Sequence, residues 1–81
     1  MAKGGGGYGV TRQSGRTLMR NTIMGNRRRA TITRGVGAWV ANYREGRGRR
    51  GRMTGVGAAR YRTRREAERG ARAWLRGTWG W

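Results

Sequence analysis

The pattern of apolar and polar positions is strongest in the middle of the chain. From Trp39 to Glu45 the residues Trp39, Ala41 and Tyr43 point to one side of an extended segment, and polar residues dominate the other side. Alternation of this kind predicts a strand with one buried face and one open face. The buried face of such a strand needs a partner to cover it.

A helix predicted near the C-terminus can cover that buried face. Ala67, Ala71 and Trp74 fall at i, i+4 and i+7, on one helix face. Thr63 begins a Thr-x-x-Glu capping box, in which a hydroxyl accepts from a free N–H group of the first turn. The pattern predicts a helix over residues 64–75 whose apolar face packs on the sheet.

Two further strands are predicted beside the first. Residues 30–34 form one candidate, with Ile32 toward the core. Residues 52–56 form the other, with Met53 inward, and nearby glycines indicate that this strand is weak or bulged. A glycine–arginine loop over residues 46–51 joins the last two strands.

The predicted fold class is therefore α+β, a three-stranded antiparallel sheet packed on one C-terminal helix, with a flexible basic N-terminal arm. Residues 1–29 are the glycine- and arginine-rich arm, and residues 30–77 are the β-β-β-α domain. Gly77 is the predicted stop of the helix. Residues 78–81 are a tryptophan-containing tail, which folds back onto the core or stacks on bases.

The arm contains one apolar cluster, which admits two interpretations. It forms either a short helical turn or an extra strand that covers an edge of the sheet. Its members are Leu18, Met19, Ile23 and Met24.

Composition points to the partner. Lysine and arginine supply 20 residues against three carboxylates, which gives a net charge of +17. A chain with this charge repels itself, so we expect it to bind a polyanion. Double-stranded DNA is the predicted partner, with RNA or single-stranded DNA as alternatives. No membrane partner is predicted, since no apolar run approaches the ~20 residues of a span.

This chain contains few of the side chains that catalysis uses. It has no cysteine, no histidine and three carboxylates. Acid–base chemistry and metal binding depend on those side chains. We therefore expect no enzyme, no cofactor and no metal site. The N-terminus lacks the apolar core of a signal peptide, so the expected location is cytoplasmic or nucleoid-associated, or alternatively inside a virion.

Two motifs carry a resemblance to a known family. The segment Gly37–Arg44, followed by a basic hairpin and the segment Tyr61–Ala67, resembles the amino-terminal arm-DNA-binding domain of phage and transposon integrases. The AP2/ERF domain of plant transcription factors has the same layout. The resemblance covers residues 30–76 and implies that the exposed face of the sheet lies in the major groove of DNA.

The chain also departs from that family. The segment before the helix is rich in glycine and alanine, and Tyr61 stands where phenylalanine is usual. The catalytic domain of the integrases is absent. The resemblance therefore implies DNA binding and none of the recombination chemistry.

The resemblance and the alternation place Asn42 and Arg44 on the DNA-facing side of the sheet. The remaining candidates are neighbouring arginines for phosphates and threonines of the adjacent strands. The full set of predicted nucleic-acid-binding residues is Arg28, Arg29, Thr31, Thr33, Arg34, Asn42, Arg44, Arg47, Arg49, Arg50, Arg52 and Thr54.

The predicted function is a small basic DNA-binding protein, a regulator or accessory factor of a phage or mobile element. The alternative is a structural protein that condenses nucleic acid in a virion or ribonucleoprotein. That alternative predicts an extended chain, ordered only by its partner.

Overall fold

The computed structural model describes residues 9–77, which form one antiparallel sheet and one helix. The elements are β1 (Gly9–Gln13), β2 (Arg16–Ile23), β3 (Asn26–Gly35), β4 (Ala38–Arg47), β5 (Thr54–Tyr61) and α1 (Arg64–Leu75). The five strands lie side by side in chain order. The helix covers one face of this sheet and leaves the other face open.

The α+β class is confirmed, but the predicted three-stranded sheet is wrong, because the sheet has five strands. The two additional strands, β1 and β2, come from the segment that we interpreted as a flexible arm. Of the two interpretations of the apolar cluster around Leu18, the extra strand is correct, since β2 pairs with β3. Residues 1–8 of the predicted arm and the tail 78–81 lie outside the described residues.

Three two-residue turns explain why the first four strands follow one another closely. Each turn ends in a glycine with a φ near +75°: 72° at Gly15, 80° at Gly25 and 71° at Gly37. Met24 also has a positive φ of 52°, so Met24 and Gly25 form the turn type that matches the twist of paired strands. Since Cβ is strained in this region, glycine favours each turn.

β5 lies further along the chain than predicted, at Thr54–Tyr61 rather than residues 52–56. Tyr43 pairs with Gly57 and Arg44 pairs with Gly55, which leaves Val56 as an extra residue in the ladder. The predicted bulge is therefore confirmed. The glycine- and alanine-rich segment before the helix, which departs from the integrase pattern, is part of this strand.

The core lies between the helix and the sheet. Its buried members are Met19, Ala30, Ile32, Ala41, Tyr43, Ala67, Ala71, Trp74 and Leu75. Alanines on both layers let the helix approach closely, and the rings of Tyr43 and Trp74 lie 4.8 Å apart. Trp39, which the alternation predicts on the buried side of its strand, and Tyr61 are half-buried and pack against the rim of this core.

Gly70 is required in the middle of the helix. A Cβ at Gly70 would collide with the hydroxyl end of Tyr61, which crosses the helix at this point. The Tyr61 hydroxyl lies 3.2 Å from that of Tyr43. Burial is the main reason that the pKa of Tyr43 rises above its ordinary value of 10.0, and the contact with Tyr61 adds to it. Tyr43 therefore stays neutral at physiological pH.

Both ends of α1 form as the sequence predicts. The Thr63 hydroxyl accepts a hydrogen bond of 3.1 Å from the Glu66 N–H group, and Gly77 ends the helix with a φ of 74°. Within residues 9–77 there is no helix of the length and apolar character that crossing a membrane requires.

A buried carboxylate ties the first two strands to the helix. Glu68 is 8% exposed, and the Arg12 guanidinium donates to it at 2.9 and 3.0 Å. The Thr17 hydroxyl donates to it at 2.9 Å, and Arg64 lies 3.6 Å away. These partners, Arg12 first, hold the pKa of Glu68 below its ordinary value of 4.5, although burial opposes them. Glu68 therefore links β1 and β2 to α1, together with Arg64, which donates to the Gln13 carbonyl of β1.

We predict that Glu68→Gln lowers the free energy of unfolding by about 1–3 kcal/mol near neutral pH, the range for hydrogen bonds to charged groups. Because folding lowers the pKa of Glu68, the unfolded chain binds the proton more tightly. The contribution of the carboxylate is complete above its ordinary value of 4.5 and is lost as the pH falls through the folded-state pKa. Urea unfolding should therefore show the two proteins converging as the pH falls.

The matched control is Glu66→Gln, which removes an exposed carboxylate from the same helix. It should cost less than about 1 kcal/mol, the range for a charge near a helix end. A loss in Glu68→Gln that matches this control, or that does not change with pH, would contradict the role of Glu68.

Candidate nucleic-acid interface

The sheet face opposite the helix, here called the open face, has three cross-strand rows that span all five strands. Residues directly opposite each other in antiparallel strands share a face, so the pairing defines each row. In order from β1 to β5, these three rows are Gly9–Arg20–Arg29–Arg44–Gly55, Thr11–Leu18–Thr31–Asn42–Ala58 and Gln13–Arg16–Thr33–Val40–Arg60. Shorter rows continue the face at its two ends, Thr22–Arg27–Gly46 and Gly35–Ala38.

The first row places three arginines side by side. Arg20, Arg29 and Arg44 lie directly opposite one another on β2, β3 and β4, and all three are exposed. Like charges in such positions destabilise a sheet. None of the chain's three carboxylates relieves them, since Glu45 lies on a helix-side row and the other two lie in α1. This arginine row therefore has no carboxylate on its own face of the sheet.

The second row is suited to hydrogen bonding. Asn42 is exposed at its centre, beside Thr31, with Thr11 at the outer strand. An asparagine amide can donate to and accept from the edge of adenine, and a threonine methyl or a leucine can contact the thymine methyl group. The open face thus combines a row of cationic side chains with a row of uncharged polar and apolar side chains.

The loop between β4 and β5 curls toward the open face at one end of the sheet. Arg27 donates to the carbonyl oxygens of Gly48, at 2.9 Å, and Gly51. Arg44 donates to the Met53 carbonyl at 3.4 Å. These contacts hold the loop so that its exposed arginines border the open face. Those arginines are Arg49, Arg50 and Arg52.

The structure brings only part of the predicted site together. Five predicted residues lie on the open face and the three loop arginines border it. The five are Arg29, Thr31, Thr33, Asn42 and Arg44. The remaining four lie on rows that face the helix side: Arg28, Arg34, Arg47 and Thr54.

Those four positions are corrections to the predicted site. Arg28 is engaged within the fold, since it lies 3.2 Å from Glu45 and its guanidinium stacks 4.9 Å from the centre of the Trp74 ring. Arg34 lies 5.9 Å from the Trp39 ring in the same way. Adjacent residues of a strand point to opposite faces, so Arg34 and Thr33 cannot share the open face.

Arg47 and Thr54 occupy the helix-side rows at the end of β4. Arg47 lies opposite Asn26, and it is exposed. Thr54 lies opposite Glu45, whose backbone oxygen accepts from the Thr54 hydroxyl at 3.4 Å. Neither side chain belongs to the open face.

Sequence reasoning missed the part of the open face that β1, β2 and β5 supply. Its missed members are Thr11, Gln13, Arg16, Leu18, Arg20 and Arg60. The local signal for β2 is weak: the glycines at Gly15 and Gly25 bound the segment, but Leu18 and Met19 place apolar residues on both faces, so polar and apolar residues do not alternate.

The described aromatic residues all lie on the helix side: Trp39, Tyr43, Tyr61 and Trp74. The open face of residues 9–77 therefore has no ring on which a base could stack. In the same residues no group of three or more acidic, histidine or cysteine side chains is placed to hold a metal ion.

Comparison with known proteins finds no matching family model, no matching curated protein and no matching solved structure. The resemblance to the integrase arm-DNA-binding domain stays a prediction. The functional argument therefore depends on the geometry and charge of the open face.

Proposed function

We propose that this protein binds duplex DNA by placing the centre of its open face in the major groove. The observation that carries the proposal is the arginine row, three exposed and directly opposed guanidinium groups with no carboxylate on their face. A polyanion supplies the missing counter-charge. Arginine is also the side chain best suited to phosphate and to the guanine edge.

The dimensions of the sheet support this arrangement. Neighbouring strands lie about 4.8 Å apart, so β2 to β4 span about 10 Å, whereas the five strands together span about 19 Å. The major groove is about 12 Å wide and admits the central strands alone. Glycines end the arginine row on β1 and β5: the Arg20 side chain lies over Gly9, whereas the space above Gly55 is open and leaves room for a groove wall.

The same features favour duplex DNA over the other nucleic acids. A protein that holds single strands generally offers aromatic platforms, and the described open face has none. The major groove of an RNA duplex is deep and narrow, so side chains of a sheet cannot read it. RNA and single-stranded DNA remain the comparison ligands.

Roles can be assigned within the open face. Arg44 and its neighbours in the arginine row contact guanine or phosphate, and Asn42 contacts adenine. The loop arginines Arg49, Arg50 and Arg52 contact phosphates beside the groove. From the family resemblance we propose the role of a regulator or accessory factor of a phage or mobile element, located with the DNA that it binds.

The test is binding of fluorescent duplex DNA, single-stranded DNA and duplex RNA, each with excess random-sequence competitor, at two salt concentrations. The proposal expects duplex DNA to bind most tightly and some sequences to survive competition at the higher salt. Equal binding of all three ligands, lost together as salt rises, would contradict groove reading and indicate binding by charge alone.

We predict different outcomes for a substitution on the open face and a substitution in the loop that borders it. Asn42→Ala should relax the preference for one base pair, by about 1–3 kcal/mol of discrimination, because it removes a base-edge contact. Arg49→Ala should weaken binding to all sequences and reduce the log–log salt slope by about one unit. Selection of bound sequences from a random pool, followed by titration, measures both effects.

Arg49→Ala is the control for Asn42→Ala, since both truncate exposed residues near the same surface. Uniform loss across all sequences in both variants would show that the sheet does not read bases.

The alternative is a nucleic-acid-condensing protein that is ordered only by its partner. The paired sheet and the buried core of residues 9–77 favour a protein that is folded before it binds. A circular dichroism melt of the free protein separates the two, because a cooperative transition is expected of a folded binder alone.

A further inference from the structure

A second basic surface lies on the opposite layer of the molecule. Arg65, Arg69, Arg72 and Arg76 follow one another at spacings of four, three and four residues, which places them on one side of α1. At about 100° per residue, they lie about 100–160° around the helix from the buried Ala71. We call these four residues the helix stripe.

The helix stripe makes no ion pair and no side-chain hydrogen bond within residues 9–77. Three of its members are exposed, and Arg72 is half-buried. Arg64, in the same helix, provides the contrast, because it donates to Thr17 at 2.9 Å and lies beside Glu68. The arginines of α1 thus divide into one that holds the fold together and four that do not.

The charges of the helix stripe are only partly favoured by the helix itself. Arg72 in the last turn and Arg76 at the C-cap suit the helix dipole, whereas Arg65 places a cation in the first turn, and the four arginines repel one another at i, i+3 and i+4 spacing. Glu66 and the buried Glu68 are the two carboxylates of the helix, and neither forms an ion pair with the stripe. Within residues 9–77 this mutual repulsion is therefore not relieved by an ion pair.

We propose that the helix stripe is a second nucleic-acid-binding surface, which lets one molecule bridge two duplexes. The inference rests on the proposed function of the open face. The sheet lies between the stripe and a duplex bound to the open face. The stripe can therefore contact the phosphates of a second duplex. From Arg65 to Arg76 the stripe is about 16 Å long, and phosphates of one strand rise by about 3.4 Å each along the duplex axis, so a stripe aligned with that axis spans several phosphates.

The test uses two short duplexes, one biotinylated and held on beads and the other labelled with a dye. The protein is added, and the dye retained on the beads measures bridging, while fluorescence anisotropy with one duplex measures simple binding. The stripe variant is Arg65→Gln/Arg69→Gln/Arg76→Gln, and the matched variant with the same loss of charge is Arg20→Gln/Arg29→Gln/Arg44→Gln. Circular dichroism checks that each variant is folded, and sedimentation checks that it is monomeric.

We expect the unaltered protein to retain the second duplex. The stripe variant should bind one duplex within about threefold of the unaltered protein but retain at least about tenfold less of the second duplex, because it has lost three phosphate contacts. If the stripe variant retains as much of the second duplex as the unaltered protein does, the inference is overturned.

The experiment distinguishes a failure of this inference from a failure of the proposed function. An unaltered protein that binds one duplex tightly and retains no second duplex overturns bridging and leaves the proposed function standing. An unaltered protein that binds no duplex in the anisotropy measurement overturns both.

Discussion

The variant Arg20→Gln/Arg29→Gln/Arg44→Gln is expected to lose about 10³-fold in affinity for its preferred duplex, since each well-placed arginine contact contributes about 1–3 kcal/mol. The log–log salt slope should fall by up to about three units if all three arginines neutralise phosphates. Anisotropy titrations at several salt concentrations measure both quantities.

The same variant should be more stable than the unaltered protein when no DNA is present. Directly opposed like charges cost about 0.2–1 kcal/mol per pair, and the row contains two such pairs. Urea unfolding of the free proteins measures this gain. A gain in stability together with a loss of affinity is the expected result for residues that serve binding and not folding.

The stripe variant is the matched control, since it removes the same charge from the other layer. Its affinity for one duplex should change by less than about threefold, because its phosphate contacts lie outside the groove-bound surface. Equal losses of affinity in the two variants would show that total charge, and not the position of the arginine row, determines binding.

Trp74→Ala is expected to have the largest effect on stability. Trp74 is 4% exposed, its ring packs 4.8 Å from that of Tyr43, and the Arg28 guanidinium covers it at 4.9 Å. Truncating a buried tryptophan costs about 3–5 kcal/mol. Small domains have only about 5–15 kcal/mol of stability, so we expect a large fall in the melting temperature.

The control is Trp39→Ala, which truncates the half-buried tryptophan at the rim of the core. We expect a loss of less than about 2 kcal/mol, since part of that ring is solvated in the folded state. Added duplex should raise the melting temperature of Trp74→Ala, because a ligand of the folded state stabilises it by mass action. A loss in Trp39→Ala that equals the loss in Trp74→Ala would contradict the central role of Trp74.

Local sequence predicted the elements whose signals lie within a few residues. The cap at Thr63, the apolar spacing of the helix and the stop at Gly77 predicted α1 with its observed bounds. Alternation in β4 predicted correctly which side of the strand bears Asn42 and Arg44. Each signal depends on contacts between near neighbours in the chain, which the sequence displays directly.

The remaining half of the open face could not be predicted in this way. β2 has arginines on one face and few large apolar residues, so its composition resembles that of a solvated arm. It is a strand because β3 pairs with it and because Thr17 and Glu68 tie it to the helix. The contact between Thr17 and Glu68 joins residues 51 positions apart in the chain, and local patterns do not contain it.

The sequence by itself determined the class of the fold, the helix and the open side of β4, since these follow from periodicity and capping, whereas the polyanionic partner that the net charge indicates stays a prediction. The tertiary structure decided that the sheet has five strands, that Arg20, Arg29 and Arg44 form one row, and that Arg28 and Arg34 lie on the helix side. The physical reason is register. Strand pairing decides which distant side chains become neighbours, and a charged row exists only once three strands are aligned.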